Sequence, residues 1–162
     1  MDLKLLEQGE WYFHDLRVYY EDTDFSGVVY HSNYLKFAER GRTECLRRLN
    51  IHHSELAKLD PPLAFVVADM AMIFHAPARI DDHIRVATRF TKIGAARLLA
   101  QQLILQMIMP KGVEAPTTEA DIEYRLLWSC DMSAACVDFA GKPRRMPKAL
   151  IGDLQNHALA QN

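Results

Sequence analysis

Cysteine is scarce in this chain of 162 residues: there are three, Cys45, Cys130 and Cys136. An odd number, set inside expected regular elements, argues against a disulfide or zinc framework and fits reduced, packed thiols in a cytoplasmic protein. Long hydrophobic runs are missing too. None approaches the roughly 18 residues needed to span a bilayer. The first ten residues, Met1 to Glu10, lack the apolar core and small-residue cleavage site of a signal peptide. Neither sign of charge dominates: 19 Lys and Arg stand against 21 Asp and Glu, a net charge of −2 that gives no reason to expect nucleic-acid binding. There is no Gly-x-Ser-x-Gly elbow, no Gly-rich phosphate loop and no His-Glu-x-x-His. His52 and His53 are adjacent and point apart, with no further ligand at metal spacing, so no metal site is expected.

What is present is the composition of a soluble globular protein, 49 % hydrophobic and 25 % charged. No repeat, low-complexity tract or linker divides it, so 1–162 is expected to be one domain with its core over about 11–147.

A first strand is expected over Trp11 to Tyr20. A helix follows, starting with Ser32 or Asn33 as its capping side chain and ending near Asn50. Tyr34, Ala38, Gly41, Cys45 and Leu49 form its apolar face, and Glu44 to Arg48 is a favourable pair four apart. Gly41 costs the helix about 1 kcal/mol relative to Ala, which points to close packing against a sheet. After a polar connection, His52 to Asp60, Pro61-Pro62 mark a boundary. Leu63 to His75 reads as a strand apolar on both faces, hence central and covered twice, with a subunit partner supplying one cover. Further strands are expected over His83 to Ile93, about Ala96 to Met109, and within Leu126 to Phe139. A loop takes in Pro110 to Thr118, Glu119 to Arg125 is ambiguous between loop and strand, and a C-terminal helix fits Lys148 to Leu159. One helix against an antiparallel sheet is an α+β layout. The order matches the hotdog fold, a five-stranded antiparallel sheet wrapped around one long central helix, while pattern alone leaves other α+β folds open.

The stretch Tyr20-Glu-Asp-Thr-Asp-Phe-Ser-Gly-Val-Val-Tyr-His-Ser-Asn-Tyr34 carries the chemistry. Asp24 precedes a helix start, where free backbone N–H groups and the helix dipole favour an ionised carboxylate. Such a group can act as a base or nucleophile, and the same N–H groups can polarise a carbonyl oxygen. An acid before a helix is also commonly just a cap. His31 can hold a carbonyl through its ring or its backbone N–H, and Tyr20 can bring a phenol to the same pocket; both have plain structural readings. The basic cluster Lys142, Arg144, Arg145 and Lys148, and Lys92 and Arg97 flanking Gly94, can meet an anionic phosphate-bearing ligand or simply face solvent.

With Phe37-Ala-Glu-Arg-Gly-Arg-Thr-Glu44 following it, that stretch resembles hotdog-fold acyl-CoA thioesterases. It is most similar to the Tol-Pal-associated YbgC branch of the 4-hydroxybenzoyl-CoA thioesterase family. Ala135-Cys-Val-Asp138 and Gly141 to Pro147 are similar to the family's last strand and tail, so the resemblance spans about Leu16 to Pro147. It implies Asp24, the second acid of Asp-x-Asp, as the catalytic carboxylate, with His31 at the helix-start donor and Tyr20 beside it. Gly27, Val28 and Tyr30 would contact substrate. Asp24 would attack the thioester carbonyl or activate a water. The resemblance further implies a homo-oligomer, dimer or tetramer, acting on acyl-CoA or acyl carrier protein thioesters, with no metal or redox cofactor. Ser26 stands where Ala or Gly is common, a mild change. A non-catalytic hotdog module that binds acyl thioesters or a protein partner is the alternative, and an acyl-CoA hydratase a third.

Overall fold

In the computed structural model, which describes residues 11–109 and 122–158, one long helix lies across a five-stranded antiparallel sheet of order β1-β3-β4-β5-β2. This is the expected α+β hotdog arrangement. The elements are β1 (Tyr12–Arg17), a 3₁₀ turn (Tyr20–Asp22), α1 (Asn33–Arg48), α2 (His53–Leu56), β2 (Ala64–Phe74), β3 (His83–Ile93), β4 (Arg97–Ile108), β5 (Glu123–Val137) and α3 (Lys148–Ala158). The expectations for Met1 to Glu10 and for the loop Pro110 to Thr118 lie outside the described residues.

The first strand is shorter than its sequence suggests. Tyr19 donates its backbone N–H to the Asp22 carboxylate at 2.9 Å, a local bond that competes with the ladder and winds the chain into the 3₁₀ turn. Asp22 itself is buried. Its carbonyl accepts from the Tyr30 N–H and from Asn33 Nδ2, each at 2.9 Å. That occupies the Asn33 side chain, and Ser32 makes no side-chain cap either, so the expected capping bond is not made. Glu44 pairs with Arg47, three residues on, rather than with Arg48 four on.

Tyr34, Phe37, Ala38, Gly41, Cys45 and Leu46 of α1 are buried against Ile84, Val86, Phe90, Leu98, Ala100 and Ile104 of the sheet. Phe37 is fully enclosed; burying a side chain of that size contributes about 1.5–3 kcal/mol. At Gly41 the helix rests directly on β3 side chains: a Cβ there would sit 2.4 Å from Val86 Cγ1. Beneath it Gln102, wholly buried, donates to the Ala38 carbonyl at 2.8 Å and to Thr88 Oγ1 at 2.9 Å, and accepts from Arg42 at 2.7 Å. The polar network satisfies the groups that a helix resting on a sheet would otherwise strand.

The strand expected at the centre of the sheet lies at its edge. β2 pairs with β5 alone. The main contacts of α1 are with β1, β3 and β4, which leaves Val66, Val67, Met72, Ile73 and Phe74 of β2 substantially exposed. Two apolar faces do call for two covers, but a single chain supplies only part of one. On the outer face of the sheet Arg85 is buried, paired to both Asp15 oxygens at 2.6 and 2.7 Å and lying over the Phe13 ring. All three cysteines are free and buried, and burial pushes the Cys130 thiol up to about 11.

Candidate active site

The loop between the 3₁₀ turn and α1 is a closed hairpin. Asp24 N–H donates to the Val28 carbonyl at 2.9 Å, and Gly27 N–H to the Asp24 carbonyl at 3.0 Å. Gly27 has φ +75°, a conformation that glycine adopts without steric cost. Thr23 and Val29 bridge the two arms. The Asp24 side chain is exposed at the tip, yet not free: its Oδ1 accepts from the Ser26 backbone N–H at 2.8 Å and from the Ser26 hydroxyl at 2.5 Å. Those two bonds, the hydroxyl first, lower the Asp24 pKa. The expected direction is right and the expected cause is not. The donors are on Ser26, two residues on, rather than at the start of α1.

Tyr20 and Asp24 share one hollow of about 370 Å³, with Thr23, Phe25, Gly27 and Ile80. Tyr20, Phe25 and Ile80 are largely exposed apolar walls of it. His31 opens onto a second hollow of about 300 Å³, with Val29, Tyr34, Phe74, His75, Ala76 and Pro77. Between the two runs a short ladder, in which Val28 bridges Arg79 and Val29 N–H donates to the Ala78 carbonyl at 2.9 Å. Ala78 N–H in turn donates to the buried Tyr34 hydroxyl at 2.8 Å. Within one chain, then, Asp24 and Tyr20 come together and His31 stands on the other side of that ladder.

The backbone donors sort in the same way. Gly27 N–H is used inside the hairpin, and Tyr30 N–H is used on Asp22, so neither is available to a ligand. Tyr30 offers its ring, tilted against His31 with centroids 4.4 Å apart. The His31 backbone N–H has no partner among the described residues. No side chain caps α1, but the Asn33 and Leu35 N–H groups already donate to the Tyr30 and Ser32 carbonyls, so this end of the helix offers the His31 N–H and the positive end of its dipole.

Lys92, near the end of β3, and Arg97, at the start of β4, are exposed on either side of the β3–β4 turn, where Gly94 N–H donates to the Arg97 carbonyl at 2.8 Å. They flank neither hollow. Lys92 lies ten residues along β3 from Asp82, which is tied to Val18, and that separation corresponds to about 33 Å of strand. The tail carrying Arg144 and Arg145 packs near the same turn, with Met146 N–H on the Ala95 carbonyl at 2.7 Å.

Two residues given no role in the sequence reading stand at the candidate site. Ser26 supplies the donors to Asp24. His75 lines the His31 hollow with its Nε2 on Ser129 Oγ at 2.8 Å. The signal for Ser26 was a hydroxyl two residues after an Asp in a turn. For His75 there was only a polar residue ending an apolar strand.

Fold and loop together define a hotdog-fold enzyme with an ionised carboxylate on the loop that leads into a helix without a side-chain cap. The chain belongs to the thioesterase superfamily, whose family model matches residues 26–106. It is 37 % identical over 141 residues to the acyl-CoA thioester hydrolase YbgC of Escherichia coli O157:H7, covering 86 % of this chain and 92 % of that one. To the acyl-CoA thioesterase YbgC of Haemophilus influenzae it is 37 % identical over 134 residues, 82 % of this chain and 86 % of the relative. Among solved structures, a probable thioesterase from Bartonella henselae superposes with a TM-score of 0.70 at 36 % identity, over 85 % of this chain and all of that one (100 %).

Proposed function

We propose that this enzyme hydrolyses acyl-CoA thioesters, with Asp24 as the nucleophile or general base. The observation that carries the reading is the Asp24 carboxylate held ionised by Ser26 on the loop that leads into the uncapped end of α1. An ionised carboxylate can attack the thioester carbon to give a mixed anhydride, or can take a proton from a water that attacks it. By either route one water is consumed, the C–S bond breaks, the sulfur takes a proton and leaves as the thiol, and the acyl group leaves as the free acid. The His31 N–H and the positive end of α1 are the donors proposed for the carbonyl oxygen; they lie across the Val28–Arg79 ladder from Asp24, so the reading requires a bound carbonyl that reaches both. Tyr20 bounds the hollow that holds Asp24, and Tyr30 packs on His31.

The exposed apolar strip of β2 supports a second copy as its cover, so the working unit is a dimer or a pair of dimers. Pairing two β2 edges places a second chain beside Phe74, which lines the His31 hollow. Lys92 and Arg97 stay outside the site proposed here.

Thiol release from acyl-CoA by Asp24→Asn tests the reading. The substitution keeps the volume and removes the charge, and kcat should fall at least about 100-fold with folding intact. Near wild-type turnover would remove Asp24 from the mechanism.

A further inference from the structure

Away from both hollows, a cavity of about 180 Å³ lies between the C-terminal half of α1 and the inner face of the sheet. It shares no lining residue with the Asp24 hollow or with the His31 hollow. Its apolar wall comes from the helix and four strands: Leu46, Phe65, Phe90, Leu98, Met132 and Ala134. An apolar cavity of about 150 Å³ accepts a benzene-sized molecule, so hydrocarbon of that bulk fits here.

The helix side of the cavity is charged. Arg42 borders it, half-buried, and burial is the chief cause of its lowered pKa. A guanidinium carries five N–H donors and no acceptor. Among the described residues Arg42 makes one hydrogen bond, from Nη1 to the neutral Gln102 Oε1 at 2.7 Å, and no ion pair. Glu39 lines the cavity too, but its carboxylate accepts from the Thr43 hydroxyl at 2.7 Å. It acts on Arg42 only through the longer-range attraction of their charges. A cation drawn out of water is normally met by an anion, because its desolvation is otherwise uncompensated. No described residue supplies that anion in contact with Arg42. Nor are its other donors sealed in protein: among the described residues, the side-chain polar atom both enclosed and unpartnered is Trp128 Nε1. The remaining Arg42 N–H groups are therefore accessible.

We propose that this cavity is a second ligand site, which takes a small carboxylic acid with its carboxylate on Arg42 and a benzene-sized apolar body among Phe65, Phe90 and Met132. Two N–H groups of one guanidinium meet both oxygens of a carboxylate in a single plane. The site is independent of the hydrolytic reading and needs neither Asp24 nor His31.

Isothermal titration and thermal shift on the full chain test it, with benzoate, benzyl alcohol and acetate as probes. Benzyl alcohol matches benzoate in bulk without its charge, and acetate has the charge without the bulk. The wild type should bind benzoate saturably with a rise in Tm. Affinity for benzoate should exceed that for benzyl alcohol or acetate at least about tenfold. Ala134 is half-buried on β5 and lines the cavity alone, so Ala134→Leu fills the space, removes no polar group and should abolish benzoate binding. Arg42→Met should weaken benzoate at least about tenfold and leave benzyl alcohol within about twofold. Asp24→Asn should bind benzoate as the wild type does. The proposal is overturned by the absence of saturable benzoate binding, by equal affinity for benzyl alcohol, or by binding that survives Ala134→Leu. Loss of binding in Asp24→Asn would move the acid to the Asp24 hollow and overturn it equally. If Arg42→Met does not fold, the wild-type contrast between benzoate and benzyl alcohol carries the charge test. Thiol release, which judges the hydrolytic reading, enters none of these measurements.

Discussion

Ser26 gives both its backbone N–H and its hydroxyl to a single oxygen of Asp24, at 2.8 and 2.5 Å. Each bond favours the charged carboxylate. Ser26→Ala keeps the first and removes the second, which is the larger cause of the lowered pKa. The folded-state pKa of Asp24 should therefore rise toward its ordinary value. Because the proposed chemistry needs the carboxylate ionised, activity is lost as pH falls through that pKa. The acid limb of the kcat/KM profile should move to higher pH in Ser26→Ala, and an unmoved limb would separate Asp24 from the titration.

Gly41→Ala sets helix propensity against packing. Propensity favours Ala by about 1 kcal/mol, but the new methyl meets Val86 Cγ1 at 2.4 Å in a fully buried position. Overpacking typically costs about 1–3 kcal/mol, so the net should be destabilising, with Tm falling about 2–4 °C for each kcal/mol. Gly41→Ala combined with Val86→Ala should be more stable than the sum of the single changes allows. Strict additivity would show that the contact is relieved elsewhere.

Gln102→Leu removes one acceptor and two donations at once from beneath α1. It deprives Arg42, whose pKa is lowered chiefly by burial, of its partner at 2.7 Å. An unsatisfied buried polar group costs about 1–3 kcal/mol, more when charged. Urea denaturation should show a loss of at least about 2 kcal/mol, and Arg42→Met added to Gln102→Leu should recover part of it.

The β2 edge gives a test of assembly. Ile73 is 60 % exposed on the outer face of an unpaired strand edge. A lysine there blocks edge-to-edge pairing. Sedimentation should find the wild type as a dimer or larger, and Ile73→Lys shifted toward monomer. A wild type that sediments as a monomer would remove the proposed second copy.

How much of this was legible in the sequence depended on whether the signal was local. His83 to Ile93 alternates so cleanly that both ends of β3 are placed as expected. Gly41 on an apolar helical stripe foretold the close approach to Val86. Leu63 to His75 showed two apolar faces and was placed centrally, because sequence pattern registers the need for cover without saying whether it comes from the same chain. Asp24 drew attention by its place before the helix, where a plain cap was an equal reading, and its catalytic role came from the family resemblance rather than from spacing. Its donor Ser26 was undervalued, since an Asx turn depends on a backbone geometry that two residues do not announce. His75 reaches Ser129 across 54 positions, and no local pattern encodes such a meeting.

The strand order also constrains how the chain is made. β2 leaves the ribosome early, yet its one neighbour in the sheet is β5, with Phe74 registered on Trp128 and Ala64 on Val137. At about 5–20 residues per second, synthesis of the intervening stretch takes roughly 3–15 seconds. Through that interval the greasiest strand of the molecule has no template, and a nascent chain cut short before residue 123 could never supply one.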